Sequence, residues 1–210
     1  LTLINQLLKQ KEETALKRTL GQFRFINNFV EETLESLRLK NVVTTYSPEF
    51  ISGIPLKPEL AEKILRPALQ NLLSNALKYG EPNKVIRLRF SIENDPRMLV
   101  CEVINEGEKI SKELEKTLFN KKNETSNQGH GVGLYYLSKV IKENDGTLEL
   151  RPSESGSHFK LTYNSFLENV DLQNRASSAH IKKLLLLRVR RLLPTSNFCE
   201  AGAPFARTTR

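Results

Sequence analysis

Two stretches of alternating apolar and polar residues, separated by a turn-forming segment, constrain the fold most strongly. Residues Val85–Ile92 and Met98–Ile104 both alternate, and Asn94-Asp95-Pro96-Arg97 lies between them. Alternation of this kind around a turn predicts an antiparallel hairpin. We expect one face of the hairpin to lie in the core and the other to face water.

Helices and further strands are expected on both sides of this hairpin. The β-branched run Asn41–Tyr46 predicts a strand, and Pro48, Gly53, Pro55 and Pro58 predict a loop after it. Helices are predicted at Pro58–Tyr79, with a break or kink at Pro67, at Ser111–Leu118 and at Val132–Glu143, and strands at Thr147–Arg151 and His158–Tyr163. This mixed order predicts an α+β fold, a two-layer α/β sandwich with a mixed sheet under helices.

The first 39 residues contain no proline and a single glycine, Gly21. Apolar side chains recur there at spacings of three and four residues, at Leu16, Leu20, Phe23, Val30, Leu34 and Leu37. The polar residue Asn27 interrupts this series. This stripe predicts one long, coiled-coil-like helix. Two interpretations stay open: the helix lies on its own domain, or it pairs with a partner helix in a coiled coil or bundle.

The net charge of +8 is unevenly distributed along the chain. Residues 168–210 carry eight basic and three acidic side chains, which leaves only +3 on the first 167 residues. Because positive and negative charges nearly balance over these 167 residues, they show no overall excess of positive charge of the kind that indicates nucleic-acid binding. The basic, leucine-rich stretch Ile181–Leu193 fits an amphipathic helix for a membrane surface or partner, but we favour a disordered or non-native extension.

Cysteine usage and apolar runs exclude further classes. Cys101 and Cys199 are 98 residues apart and belong to no Cys/His cluster, which argues against a zinc site or a disulfide scaffold. Runs such as Leu184–Leu187 fall far short of the roughly 20 residues of a membrane span. We expect a cytoplasmic location. Because the chain begins at Leu1, we also expect it to be part of a longer protein that could carry a membrane anchor.

A row of polar residues on one helix is the first feature that indicates chemistry. Asn71, Asn75, Lys78 and Tyr79 follow one another at offsets of four, three and one, so they lie on one helical face. Leu72, Leu73, Ala76 and Leu77 are expected to face the core. Amide oxygens, an ammonium group and an aromatic ring suit a polyphosphate with Mg²⁺, although a solvated helix face would also give this row.

Two glycine-containing segments add to this row. Gly129-His-Gly-Val-Gly-Leu follows the polar run Asn120–Gln128 and opens a helix, where backbone N–H groups suit phosphate. The strand that starts at Cys101 ends in Asn105-Glu106-Gly107, a polar side chain followed closely by a glycine. Each segment taken alone is also an ordinary turn.

These features in this order resemble the histidine-kinase-like ATPases, a family that includes the nucleotide-binding domains of gyrase and Hsp90. The best match is the catalytic domain of bacterial sensor histidine kinases, over about Asn41–Phe166. Asn71–Tyr79 resembles that family's N box, Asn105–Ile110 its first glycine box, Leu118-Phe119 its F box and Gly129–Leu134 its second glycine box. The resemblance implies the Bergerat-type ATP-binding fold.

The resemblance also implies roles for single residues. Asn75 and Asn71 would bind Mg²⁺, with Asn71 and Lys78 also at the phosphates as catalytic residues, and Tyr79 would pack near the adenine and ribose. Asn105 and Gly107 would lie beside the adenine base of the nucleotide. The segment Asn120–Gln128 would form a lid over the ATP, in which Lys121 and Lys122 could reach the γ-phosphate. The remaining ATP contacts would come from the base of this lid, which consists of Gly129, His130, Gly131, Gly133 and Leu134. His130 is interpreted as a loop residue rather than a catalytic base.

Two departures from the family pattern matter. Asn105 stands where the family has an aspartate that accepts a hydrogen bond from adenine, and Lys109 replaces the second glycine. A neutral acceptor is expected to weaken affinity or base selectivity. No histidine precedes His130, so the chain lacks the phosphoacceptor of the family's first hairpin helix. We therefore expect no autophosphorylation by this chain alone.

The expected function is the ATP-binding catalytic region of a sensor histidine kinase. Residues 1–40 would be the second helix of the dimerisation and phosphotransfer hairpin, 41–167 the catalytic domain and 168–210 the basic tail. Expected partners are a response-regulator receiver domain and, through the N-terminal helix of the full-length parent, a second copy, with no nucleic acid. The alternatives are a degenerate nucleotide-binding or protein-interaction module and a gyrase-type ATPase, which Asn71 argues against because an amide cannot act as a general base.

Overall fold

The computed structural model of the chain describes residues 2–53, 58–94, 97–120 and 132–164. Its helices and strands follow the predicted order, with one helix that was not expected. The elements are α1 (Thr2–Ser36), β1 (Val42–Tyr46), α2 (Pro48–Gly53), α3 (Pro58–Leu60), α4 (Arg66–Tyr79), β2 (Ile86–Asn94), β3 (Arg97–Asn105), α5 (Lys112–Thr117), α6 (Val132–Lys142), β4 (Thr147–Leu150) and β5 (Ser157–Tyr163).

The strands form one mixed sheet in the order β1-β2-β3-β5-β4. Strands β1 and β2 are parallel and the other neighbours are antiparallel, so the predicted hairpin β2–β3 is confirmed. One row of directly paired residues crosses all five strands, and every member is buried: Tyr46, Phe90, Cys101, Leu161 and Leu148. This row and its neighbours form the sheet side of the core, which the helices cover, as the α+β prediction requires.

The opposite face of the sheet is polar, as the alternation predicts. Arg89, Glu102, Lys160 and Glu149 are paired in register across four strands, so charges of opposite sign alternate along the row. His158 Nε2 lies 2.7 Å from Glu102 Oε1 on the same face. Opposite charges on neighbouring strands stabilise a sheet and keep its outer surface wet.

The second half of α1 packs against the sheet. Phe23, Ile26, Phe29 and Val30 are buried in the same cluster as the sheet residues. The polar interruption Asn27 accepts a hydrogen bond from the hydroxyl of Tyr46, at 3.2 Å. This half of the helix therefore lies on its own domain, and the coiled-coil pairing of α1 stays a prediction. No helix in the described part of the chain is long and apolar enough to cross a membrane.

Arg66 joins α1 to the first turn of α4. Its guanidinium lies 4.2 Å from the ring centroid of Phe29, a cation–π contact. The same group lies 2.7 Å from Glu62 and 3.6 Å from Glu32 of α1. The hydrogen bond from Arg66 lowers the pKa of Glu62. One side chain thus contacts both helices at their crossing point.

Pro67 does not break the helical path that leads into α4. A π-helical turn, Ala61–Leu65, precedes α4, and the Arg66 N–H bonds to the carbonyl of Ala61 five residues earlier. Proline has no N–H and its ring clashes with the carbonyl four residues before it in a regular α-helix. The wider π turn accommodates Pro67 in the first turn of α4 instead.

The expectation of a loop after Pro48 is wrong for its first part, because Pro48–Gly53 forms the helix α2. Ser47 caps it, since its Oγ accepts a hydrogen bond from the Phe50 N–H at 3.1 Å. Proline is favoured at the first position of a helix, and serine is favoured as its N-cap. Phe50 is fully buried and packs on Tyr46 and Phe90, which holds this short helix on the sheet.

Two buried tyrosines make a matched test of the core. Burial raises the pKa of both phenols, and the hydroxyl of Tyr163 has no hydrogen-bond partner among the described residues, whereas Tyr46 donates to Asn27. We expect Tyr46→Phe to lower the free energy of unfolding by about 1 kcal/mol, because a hydrogen bond is lost. Tyr163→Phe should leave the stability unchanged or raise it by up to about 1 kcal/mol, because an unpaired buried hydroxyl is removed.

Urea denaturation of the two variants, followed by circular dichroism, measures both changes. If Tyr163→Phe lowered the free energy of unfolding by more than about 1 kcal/mol, the hydroxyl of Tyr163 would have to make a hydrogen bond, because a loss of that size is what one hydrogen bond contributes. This result would contradict the assignment of Tyr163 as an unpaired hydroxyl.

Candidate functional site

The predicted polar row lies on α4. Asn71 and Asn75 are half-buried, and the Nδ2 of Asn75 donates a hydrogen bond to the Oδ1 of Asn71 at 3.2 Å. Lys78 and Tyr79 follow on the exposed last turn, and the Lys78 Nζ lies 5.1 Å from the Tyr79 ring centroid. The amide pair and the cation–aromatic pair therefore sit one after the other at the end of the helix.

The expectation that Leu77 faces the core is wrong, because this side chain is 57% exposed. The buried stripe of α4 consists of Ala68, Leu69, Leu72, Leu73 and Ala76. Successive residues are about 100° apart around a helix, so Leu77 lies beside that stripe and not on it.

Asn105 ends β3 with its side chain buried, at 4% exposure. Its Nδ2 donates to the backbone carbonyl of Glu106 at 3.3 Å, and its Oδ1 accepts from the hydroxyl of Ser157 at 2.5 Å. Ser157 faces Asn105 directly in the β3–β5 register. Sequence reasoning missed Ser157, because nothing local indicates that β5 pairs with β3.

The end of α4 is joined to the end of β3 through the backbone. Gly80 and Gly107 form an antiparallel bridge, and the Glu81 N–H donates to the Glu106 carbonyl at 2.8 Å. This junction brings the polar row of α4 next to the strand end that carries Asn105. The N-box and first-glycine-box segments are therefore neighbours in space.

Two glycines make this junction possible. Gly107 has a φ of +156°, and a Cβ there would lie 2.8 Å from the Tyr79 carbonyl oxygen. Gly156, just before β5, has a φ of +65°, and its Cβ would lie 2.0 Å from the Asn105 carbonyl oxygen. Neither approach is compatible with a side chain. Gly156 was not among the predicted site residues.

The start of α6 contacts the amide pair of α4. A Cβ on Gly133 would lie 2.2 Å from the Nδ2 of Asn71, so the backbone of α6 passes directly against that side chain. Leu134, the next residue, is buried. This contact joins the segment that resembles the N box to the segment that resembles the second glycine box. Gly129, His130, Gly131 and the lid residues 121–128, with Lys121 and Lys122, lie outside the described residues.

The chemistry of these groups fits a metal bound together with phosphate. Among the described residues, no group of three or more His, Cys, Asp or Glu side chains could hold a metal by itself. The hydrogen bond between the two amides uses the NH₂ group of Asn75 and not its carbonyl oxygen. Carbonyl oxygens are ligands that suit Mg²⁺, which binds through few protein groups when phosphates supply others.

Burial raises the pKa of Cys101, so this thiol is not an activated nucleophile.

A surface cavity of about 490 Å³ lies elsewhere, between the end of α5 and one side of α6. It is lined by Phe119, Asn120, Tyr135, Ser138, Lys139, Lys142 and Glu143. Phe119 of the predicted F box and Asn120, the first residue of the predicted lid, line it, but none of the residues predicted to contact metal, phosphate or base does. The convergent polar groups of α4, β3 and α6 therefore define the candidate site, and this cavity does not.

Comparison with protein families agrees with this geometry. The family described as histidine kinase-, DNA gyrase B-, and HSP90-like ATPase matches residues 61–165. The match begins at the π-helical turn before α4 and ends just after β5, so it includes every described residue of the candidate site.

Curated relatives and solved structures point in the same direction. The chain is 34% identical to the sensor protein RprX of Bacteroides fragilis over 84 residues, 37% of this chain and 16% of RprX. It is 27% identical to the sensor histidine kinase CusS of Escherichia coli K12 over 165 residues, 75% of this chain and 32% of CusS. The chain thus spans a third or less of these relatives.

The nucleotide-free catalytic domain of the histidine kinase ThkA is similar in fold. Its TM-score with this chain is 0.52 at 21% sequence identity, over 67% of this chain and 92% of that domain. The mixed sheet with its covering helices is therefore the fold of a histidine kinase catalytic domain.

The Gly133–Asn71 contact predicts a selective effect of one methyl group. We expect Gly133→Ala to weaken ATP binding in the presence of Mg²⁺ by tenfold or more, because the new Cβ must displace the Asn71 amide. The fold should persist, since a side-chain end can move. Isothermal titration gives the affinity, and circular dichroism checks the fold.

Gly21→Ala is the matched control, because a Cβ at Gly21 meets nothing within 4 Å in α1. This variant should bind nucleotide as the parent does and be more stable by about 0.5–1 kcal/mol, the helix preference of alanine over glycine. Unchanged ATP affinity in Gly133→Ala would show that Asn71 has no part in binding.

Proposed function

Because the chain belongs to the histidine kinase-, DNA gyrase B-, and HSP90-like ATPase family, we propose that it binds Mg²⁺·ATP and donates the γ-phosphoryl group to a histidine. It contains the ATPase catalytic domain of the two-component sensor kinase type. The observation that carries the proposal is the amide pair Asn71–Asn75, held against the start of α6 at Gly133.

Phosphoryl transfer places few chemical demands on the protein. Catalysis comes mainly from positioning the reactants and from stabilising charge, so no nucleophile is needed in the ATP-binding domain. The described site fits this requirement, because it presents amides, an ammonium group and backbone turns. When bound, Mg²⁺ would supply positive charge that neutralises the phosphates.

Each group of α4 has a proposed role. The Oδ1 of Asn75 would bind Mg²⁺, since the hydrogen bond within the pair leaves this oxygen available. Asn71 would lie beside the metal and the phosphates, and Lys78 would contact phosphate. Tyr79, 43% exposed at the end of the helix, would pack near the adenine and ribose.

The nucleotide base would lie at the junction of α4 and β3. Asn105 and Gly107 would form one side of this pocket, because Gly107 lies against the Tyr79 backbone carbonyl and the Asn105 amide lies against Gly80. The base of the ATP lid would come from Gly129, His130, Gly131, Gly133 and Leu134. Gly133 and Leu134 lie at the start of α6, where N–H groups suit phosphate, and the other three residues lie outside the described part of the chain. The roles of all five stay predictions.

The phosphoacceptor would come from elsewhere. No histidine precedes His130 in the chain. In the full-length parent, a first hairpin helix would supply it, a second copy would pair through the N-terminal helix, and a response-regulator receiver domain would take the phosphoryl group. The alternative of a degenerate module without kinase activity has its sequence support in Asn105 and Lys109, and the matched family and relatives add nothing to it.

Asn75 provides the direct test of the metal assignment. We expect Asn75→Ala and Asn75→Asp to alter ATP affinity in the presence of Mg²⁺, because both variants lose the neutral amide oxygen. Affinity measured in EDTA should change much less, because the metal is then absent. If both folded variants bind Mg²⁺·ATP as the parent does, Asn75 is not a metal ligand.

Incubation with radiolabelled ATP tests the missing acceptor. We expect the chain alone, with Mg²⁺, to acquire no acid-labile phosphohistidine, because its histidines lie outside α1. The label is separated by gel electrophoresis before and after acid treatment. Acid-labile label on His130, His158 or His180 would overturn this expectation.

A further inference from the structure

We propose that the base pocket accepts 6-oxopurine nucleotides such as ITP as well as ATP, with Asn105 as the residue that determines this breadth. The inference rests on the proposed function, which places Asn105 at the base. It goes further by naming the class of nucleotide. It is drawn from the hydrogen-bond pattern of the buried Asn105 side chain.

The orientation of this amide is fixed by its surroundings. A backbone carbonyl can only accept a hydrogen bond, so the amide nitrogen must face the Glu106 carbonyl oxygen, which lies 3.3 Å away. The Oδ1 then faces Ser157, whose hydroxyl donates to it at 2.5 Å. The opposite orientation would place two acceptors together at Glu106.

A count of donors and acceptors shows what Asn105 has left to offer. A carboxamide has two N–H donors on its nitrogen and two lone pairs on its oxygen. Glu106 uses one N–H and Ser157 uses one lone pair. Among the described residues, no further partner takes up the other N–H and the other lone pair, so one donor and one acceptor remain on the same side chain.

Such a pair suits the edges of both kinds of purine. The 6-aminopurine edge offers an N–H donor at position 6 and an acceptor at N1, whereas the 6-oxopurine edge offers an acceptor at position 6 and a donor at N1. Held in this orientation, the amide can still form a hydrogen bond with position 6 of either purine, because its Oδ1 can accept from a 6-amino group and its Nδ2 can donate to a 6-oxo group. An ionised carboxylate only accepts, so it favours the amino group and repels an oxygen at position 6.

Titration of the full chain with ATP and ITP, each with Mg²⁺, tests the proposal. ITP is the better probe than GTP because it lacks the 2-amino group and so isolates the change at position 6. We expect the two dissociation constants to differ by less than tenfold. A preference for ATP of tenfold or more would overturn the proposal.

Asn105→Asp should convert the pocket to one that selects adenine. We expect its preference for ATP over ITP to rise at least tenfold over the parent, mainly through weaker ITP binding. A folded Asn105→Asp that binds ITP as tightly as the parent would also overturn the proposal. Should this variant fail to fold by circular dichroism, the titration of the parent alone decides.

Asn144→Asp is the matched control for the added charge. Asn144 is a half-buried amide whose Nδ2, like that of the more deeply buried Asn105, donates to a backbone carbonyl, that of Val140 at 2.7 Å, but it lies beyond the far end of α6. This variant should keep the preference of the parent. Binding of neither nucleotide at millimolar concentration would instead refute the proposed function, and with it this inference. Binding of ATP alone would refute only the inference.

Discussion

The arrangement of the site depends on the backbone junction between the end of α4 and the end of β3. Gly80 and Gly107 pair there, and the N–H of Gly156 donates to the Gly107 carbonyl at 2.9 Å, so three chain segments meet at one point. Carbonyl oxygens lie where a Cβ would stand on each of these glycines. A side chain at the junction would separate the polar row of α4 from Asn105, and the helix and strand would no longer share a site.

Most of the secondary structure could be predicted because its signals are local. The alternation of β2 and β3 follows from a sheet with one wet face, and the predicted row Asn71–Asn75 follows from helical spacing alone. The helix α2 was missed because Pro48 and Gly53, together with Pro55 and Pro58 after the helix, predict a loop, although Ser47 and Pro48 also fit a helix start. In that segment, burial of Phe50 decides between the two interpretations.

The contacts that complete the site could not be predicted from the residues, since they join distant parts of the chain. Ser157 reaches Asn105 across 52 positions, and this contact depends on the pairing of β5 with β3. Gly133 meets Asn71 across 62 positions. The family resemblance placed the segments of Asn71 and Gly133 at one site, but only the structure shows which of their atoms touch. Strand register and helix packing, which no local pattern encodes, decide these distances.

The packing of α1 links the N-terminal helix to the nucleotide-binding helix. The division of the chain at residue 40 stays a prediction, yet the core holds Phe23 and Phe29 of α1 in one cluster with Leu69 of α4. Arg66 adds a polar contact at the same crossing, through Phe29 and Glu32. Close-packed side chains do not slide past one another without losing contacts. A displacement of the second half of α1 must therefore either carry α4, with its amide pair, along with it or break this core.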